Sequence, residues 1–404
     1  MKRLLFITVI ATLILSGCTN DSTDEPAPVK PFKREWYQIV KTDTLSSEKI
    51  TREMSGIGIS FGYSTLVRKA FLYHSLNGSD TITLSGAVCW PLESDGCSEI
   101  WLESHYFSTR WNECPSQQAK PGMLITSMRK GIYIGADYQG LGLSRDLDSP
   151  YLNTVMLANQ NIDCFKAAMT IIKDFGPILT DDFKTFNIGY SLGGAVAMGI
   201  AKQMELDADL KEYTHLNRTF CGGGPYDQVA YFNHYLDESP TLELAYPIAF
   251  LCAIRSITNS SPSFTLKHSY EECFSETLLN SGIIEAVDSK NYTTNSINVL
   301  MQRAGCTSIS TILSPEMLDR DSQLNKDIMR EVEKLDVTVG WTPRSPILIQ
   351  HSRTDTFVPF ACMESAIANL SDYPNVAFEI VDQDDHQSDG LRFYINIAFN
   401  YPID

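Results

Sequence analysis

The stretch "FNIGYSLGGAVAMG", Phe186 to Gly199, decides how the chain is read. An apolar run stops at Gly189, a single hydroxyl follows at Ser191, and small residues crowd after it. "TFNIGY" reads as a buried strand and "GGAVAMGIAKQM" as the helix that follows it. A side chain on a sharp strand-to-helix turn is exposed only if its neighbours leave room. Gly189, Gly193 and Gly194 carry no side chain and permit close packing there. The Ser191 hydroxyl then sits at a helix N-terminus, where free amides and the helix dipole favour negative charge. An attacking oxygen and a tetrahedral oxyanion need that environment. A glycine-rich turn with an inert serine has the same spelling, so the rest of the chain has to decide.

Outward from this turn the pattern is regular. Upstream, "TLVRKAFLYHS", "TITLSGAVCWP" and "EIWLESHYF" read as strands. From about Met123 helix and strand alternate: "GMLITSMRKG" as helix, "IYIGADY" as buried strand, and "TVMLANQNIDCFKAAMTIIKDFG" as a long helix with a capping glycine. "RTFCGGGPYD" is a strand with its exit loop. Downstream, "SPILIQHS" is a buried strand, "MESAIANLSDY" a helix, "NVAFEIVD" a final strand and "GLRFYINIAFNYP" a closing helix. Short apolar strands alternating with helices predict an α/β fold with a mostly parallel sheet covered on both faces. Between Gln228 and about Val339 the pattern is irregular and mainly helical, which predicts a cap over the strand ends. The long apolar stretch "LELAYPIAFLCAIRSI", Leu242 to Ile257, either lines an acyl pocket or packs as a helix on the sheet domain.

A serine nucleophile needs a base, and the base needs an orienting carboxylate. In a parallel sheet both belong on loops after later strands, at the same sheet edge. "PILIQHS" is followed by "RTDTFVP", which places Asp355 just past a strand end, and "NVAFEIVD" by "QDDHQSDG", which does the same for His386. His74, His215, His234 and His268 fall in early strands or in the insertion, and His351 precedes the acid loop. Asp382, Asp384, Asp385 and Asp389 crowd His386 and read as solvated loop charges.

With these residues in place, the chain resembles the α/β-hydrolase family, over roughly residues 56–402. The resemblance rests on "GYSLGG", on the "D-x-x-V-P" loop Asp355 to Pro359, on the late His386, and on "GADYQGLG", which is similar to the "DYxGxG" stretch of secreted lipases and esterases. It implies Ser191 as nucleophile, His386 as base and Asp355 as acid, without cofactor. It also implies an oxyanion hole of two backbone N–H groups: one from Leu192, the other from the loop after "EIWLES". Family members often carry His-Gly there; this chain has His105-Tyr106-Phe107, which leaves the second donor open between Tyr106 and Phe107. His105 is expected to bond the loop.

The chain has 404 residues and 43% hydrophobic content, enough for one large domain with an insertion or for two domains. Its formal charge is −17 with no Lys/Arg cluster, which excludes nucleic acid as a partner. No CxxC or HExxH spacing suggests a metal site. Lys2 and Arg3, the apolar "LLFITVIATLIL" and "LSGC" resemble a bacterial lipoprotein signal, with Cys18 lipidated as the mature N-terminus. The chain is then divided into a signal peptide at 1–17, a lipidated N-terminus and tether at 18–50, a hydrolase core at 51–227 and 341–404, and a cap at 228–340. A location in the envelope of a Gram-negative-type bacterium follows, on the outer membrane, with the membrane reached only through the N-terminal lipid. Nine cysteines besides Cys18 leave at least one unpaired, and Cys89 and Cys97, flanking a turn-like stretch, are a possible pair.

The expected activity is ester hydrolysis by an esterase or lipase, on a small-molecule, lipid or polysaccharide-linked ester. A peptidase of the prolyl-oligopeptidase type shares "GxSxGG", but too few residues precede the core for its large N-terminal domain. An acyltransferase uses the same residues, and a non-catalytic ligand-binding surface lipoprotein is the alternative from another class.

Overall fold

The computed structural model describes residues 33–53, 64–238, 241–382 and 385–401. The signal segment, Cys18, most of the tether and Asp384 lie outside the described residues. The elements below all belong to the unit Arg34–Asp404.

Among the described residues, nine strands form one sheet: β1 (Tyr37–Leu45), β2 (Leu66–Asn77), β3 (Asp80–Pro91), β4 (Gly96–Ser104), β5 (Ile132–Ala136), β6 (Ile178–Tyr190), β7 (Leu216–Gly222), β8 (Ile347–Ser352) and β9 (Val376–Val381). The spatial order is β1-β2-β3-β5-β4-β6-β7-β8-β9. The first three pairings, β1 with β2, β2 with β3 and β3 with β5, are antiparallel. All pairings from β5–β4 onward are parallel. After β4 the chain steps back to β5, then crosses to β6 and continues outward. Strand order therefore reverses between β4 and β6, the kind of switch point at whose carboxyl ends open α/β sheets form a ligand crevice.

Alternation along the strands loads both faces. On one face Trp101, Phe186, Ile188, Phe220 and Leu348 meet Ile125 of the helix Pro121–Arg129 and Phe393, Tyr394 and Ile397 of the C-terminal helix His386–Asn400. Trp101 and Phe186 stack with centroids 4.8 Å apart. Each such fully buried side chain contributes roughly 1.5–3 kcal/mol. On the other face the helix Thr154–Phe175 packs against the helix Leu192–Leu206. Asn187, buried between Phe186 and Ile188, turns to that side and donates to the Ala197 carbonyl at 2.7 Å. The mostly parallel sheet with helices on both faces agrees with the pattern read from the sequence.

Two expectations need correction. The tether was drawn to residue 50, but Tyr37–Leu45 is the edge strand of the sheet and Ser47–Glu53 a helix. Buried Arg68 of β2 holds this edge through two bonds to Asp43, at 2.9 and 2.7 Å. Burial pushes the Asp43 carboxyl up, but the Arg68 guanidinium outweighs it and holds it at about 2. The pairing of Cys89 with Cys97 is also absent; both thiols are free. Cys89 lies on β3 and Cys97 on β4, and β5 runs between those strands. Two strand spacings, roughly 9–10 Å, exceed disulfide reach.

Between β7 and β8 the described chain is helical, from Gln228–Glu238 through Pro247–Ser260 and Thr294–Arg303 to Gln323–Glu333, and adds no strand to the sheet. The helix Pro247–Ser260 carries most of the apolar stretch Leu242–Ile257. Its Phe250 packs on Tyr231, Phe232 and Tyr235 of the helix Gln228–Glu238, inside the insertion itself. Among the described residues no helix is long and apolar enough to cross a membrane.

Candidate active site

The parallel pairing of β4 with β6 sets Ser104 opposite Gly189, so the chain leaving β4 and the chain leaving β6 emerge side by side. Ser191 follows at once and adopts φ 60°, ψ −129°, a strained conformation for a residue with a side chain. The helix begins at Leu192, so the Leu192 N–H is one of the first-turn amides that no intrahelical carbonyl can reach. The three glycines of the turn are needed for close approach. A Cβ at Gly189 would lie 2.0 Å from the Gly193 carbonyl oxygen, one at Gly193 2.0 Å from that of Ser104, and one at Gly194 2.4 Å from that of Gly222.

The three polar residues singled out in the sequence meet here. His386 Nε2 lies 2.8 Å from Ser191 Oγ, and His386 Nδ1 lies 2.5 Å from Asp355 Oδ2. Asp355 stands three residues past β8, and its other oxygen accepts the N–H groups of Phe357 (2.8 Å) and Val358 (2.9 Å). Burial alone would push its carboxyl up; the imidazole of His386 outweighs this and holds it below the usual range. The carboxylate is fully screened from solvent, whereas the His386 ring is 9% exposed. Phe357 lies over that ring at 5.1 Å and stacks on Tyr246 of the insertion at 4.5 Å.

The rival histidines make other contacts, although His351 Nε2 also lies 3.7 Å from Asp355 Oδ2. His74 stacks on Trp36, His215 on Phe183, and His268 bridges Glu272 and Asp327. His351 is fully buried with Nε2 on the Val358 carbonyl at 3.0 Å, and burial holds it below its usual value. His234 lies on the helix Gln228–Glu238 against Tyr235.

One acidic residue, Asp389, is not the solvated loop charge expected, whereas Asp385 is exposed. His386 is the first residue of the C-terminal helix, and Asp385 caps that helix by accepting from the N–H groups of Gln387 and Ser388. Asp389 is buried one turn on. It accepts from Gln350 Nε2 of β8 at 2.6 Å and faces the Tyr190 hydroxyl at 3.1 Å. The same hydroxyl lies 2.7 Å from the His386 carbonyl oxygen. Tyr190 precedes the serine, so the strand end below Ser191 is bonded to the helix that carries His386. Asp382, by contrast, is an exposed partner of Arg353.

The loop after β4 brings His105, Tyr106 and Phe107 to the same crevice. His105 is buried, Tyr106 exposed, and Phe107 stacks on Tyr151 at 4.0 Å. Beside Phe107 a cavity of about 50 Å³ is lined by Tyr151 and by Cys252 and Arg255 of the insertion. Among the described residues no group of three or more His, Cys, Asp or Glu side chains is placed to hold a metal ion.

No protein-family model matches the sequence, and no curated protein matches it. Solved structures do resemble it. The rice cell wall degrading esterase LipA of Xanthomonas oryzae superposes with a TM-score of 0.71 at 17% identity, over 89% of this chain and 94% of that one. A protein of Legionella pneumophila described as a hydrolase gives 0.69 at 18%, over 91% and 99%. Candida antarctica lipase A in its closed state gives 0.60 at 13%, over 90% and 80%. These likenesses show that the fold is that of the α/β-hydrolases.

The close approach at the turn is testable by stability alone. Gly193→Ala drives a methyl into the Ser104 backbone and is expected to cost about 3 kcal/mol. Gly282→Ala, at φ +74° with nothing within 4 Å, is expected to cost about 1 kcal/mol. Urea denaturation of both variants checks this, and equal losses contradict it.

Proposed function

We propose that the chain is a serine hydrolase of carboxylic esters. The observation that carries this reading is the unbroken hydrogen-bonded line from Ser191 Oγ through the His386 ring to the Asp355 carboxylate, built past the ends of β6, β9 and β8 respectively. Ser191 Oγ attacks the ester carbonyl carbon while His386 Nε2 takes its proton. Asp355 holds the ring by Nδ1 and balances the charge that forms on it. The carbonyl oxygen becomes an oxyanion, received by the Leu192 N–H and by a backbone N–H of the Tyr106–Phe107 stretch. His386 then returns the proton to the leaving alcohol, and an acyl group remains on Ser191 Oγ. Water, deprotonated by the same ring, attacks the acyl carbon and releases the acid. The esterase and the lipase among the similar structures support an ester as substrate. The Phe357 ring beside His386, backed by Tyr246, suits an uncharged group next to the reacting bond.

A panel of p-nitrophenyl esters of increasing chain length tests the reading. Ser191→Ala is expected to lower kcat/KM roughly 10⁴-fold or more across the panel. Asp355→Asn is expected to lower kcat about 10⁴-fold, because the ring loses its fixed tautomer. A loss below tenfold in the serine variant contradicts the proposal.

We also propose that Cys18 is lipidated and holds the enzyme on the bacterial outer membrane, which the basic start, apolar run and "LSGC" support. Metabolic labelling with palmitate is expected to mark the wild-type chain and not Cys18→Ser; equal labelling contradicts it.

A further inference from the structure

The sequence left the second oxyanion donor open between Tyr106 and Phe107, because the glycine usual at this place is absent. We propose that the donor is the Phe107 N–H, and that His105 and Tyr138 are the positioning residues that aim it. The inference rests on the serine-esterase reading given above.

It follows from the planarity of the peptide bond. In a trans peptide the carbonyl of one residue and the N–H of the next point in opposite directions, so whatever holds the carbonyl also aims the N–H. Both peptides in question are held by their carbonyls. The His105 oxygen accepts the Tyr138 hydroxyl at 3.0 Å. It also lies on the side of the nucleophile helix, 3.0 Å from where a Gly193 Cβ would be. The Tyr106 N–H in the same plane is therefore turned away from that helix. The Tyr106 carbonyl folds back onto His105 Nδ1 at 2.7 Å. His105 is fully buried, so the Phe107 N–H in that plane is turned out of the core, to the crevice side.

The protonation states suit these roles. Burial, helped by nearby Lys120, pushes His105 down to about 3, so the ring is neutral and carries one proton. Nδ1 is 2.7 Å from the Tyr106 oxygen, while Nε2 is 3.2 Å from that of Asp137. The shorter contact takes the proton, because two lone pairs at that distance repel more strongly than at 3.2 Å. Burial likewise raises the Tyr138 hydroxyl and keeps it a donor.

The surrounding geometry is specific to this purpose. Tyr138 takes φ 65°, a left-handed conformation that costs a side-chain-bearing residue roughly 1–2 kcal/mol. This aims its ring flat against the His105 imidazole, with centroids 4.0 Å apart. Tyr138 belongs to the "GADYQGLG" stretch, whose role the sequence left unassigned. Asp137 beside it is bonded by the Ser85 hydroxyl at 2.6 Å and by the Ser116 N–H at 2.8 Å. Phe107 itself is held by its stack on Tyr151. The loop thus replaces the backbone freedom of a glycine with two side-chain bonds to its carbonyls.

The test uses p-nitrophenyl butyrate and three variants of the full chain. An Asn side chain places an amide nitrogen where His carries Nδ1, whereas Gln places it at the Nε2 position. His105→Gln is expected to lower kcat about 10²-fold, the loss typical of one oxyanion donor, with KM changed less than threefold. His105→Asn is expected to retain kcat within about fivefold, since one neutral hydrogen bond is kept. Tyr138→Phe keeps the stack and removes one hydrogen bond, and is expected to lower kcat about fivefold at unchanged KM. This third variant decides the matter should His105→Gln fail to fold. Equal losses in the Gln and Asn variants, a change confined to KM, or an unaltered kcat in Tyr138→Phe overturns the assignment. Ser191→Ala runs alongside: hydrolysis that survives it overturns the esterase reading itself, whereas hydrolysis lost in Ser191→Ala but unmoved by His105→Gln overturns only the donor assignment.

Discussion

The site depends on one backbone constraint, the parallel register that sets Ser104 beside Gly189. That pairing delivers two chain segments to one crevice. One turns sharply at Ser191 into a helix, and the other becomes the loop His105–Phe107. They can lie so close because Gly193 has no side chain where the Ser104 carbonyl oxygen approaches, while Gly189 and Gly194 leave the same room within the turn itself and against Gly222 of β7. The strain at Ser191 is held from below by its own N–H on the Gly222 carbonyl, at 2.8 Å. Overpacking at Gly193 would press the two segments apart.

A second set of bonds ties the remaining strand ends to this turn. Tyr190 reaches the His386 carbonyl and Asp389, and Asp389 reaches Gln350 of β8. β6, β8 and the C-terminal helix are therefore linked by buried polar bonds directly beneath the reacting groups. Buried polar groups are costly unless satisfied, and satisfied networks of this kind specify one arrangement. The loop of Asp355 is fixed separately, by two backbone N–H groups on the oxygen that His386 does not use.

Much of this was legible in the sequence. Period and turn residues gave the parallel half of the sheet, and the three side chains meet where strand ends were drawn without reference to catalysis. What escaped has identifiable causes. β1 follows a proline-containing polar stretch and is largely exposed at the sheet edge, so no hydrophobic alternation marks it; its anchor is an ion pair with Arg68, 25 residues away in sequence. The Cys89–Cys97 pairing failed because β5 inserts between strands that are consecutive in the chain, a rearrangement local spacing does not encode. Asp389 reads as a solvated charge in the sequence because nothing local marks the start of the last helix at His386, and its partners come from β6 and β8. The loop His105–Phe107 was ambiguous because its own carbonyls are held by side chains, one of them the Tyr138 hydroxyl from a stretch 33 residues away.

The central claim, that Ser191 is the nucleophile activated by His386, is tested most directly by covalent trapping. Incubation of the native enzyme with a fluorophosphonate, digestion and peptide mass mapping should find one adduct per chain, on the peptide containing Ser191. His386→Ala should suppress its formation, and Ser191→Ala should abolish it. An adduct on another residue, or equal labelling after Ser191→Ala, would contradict the account.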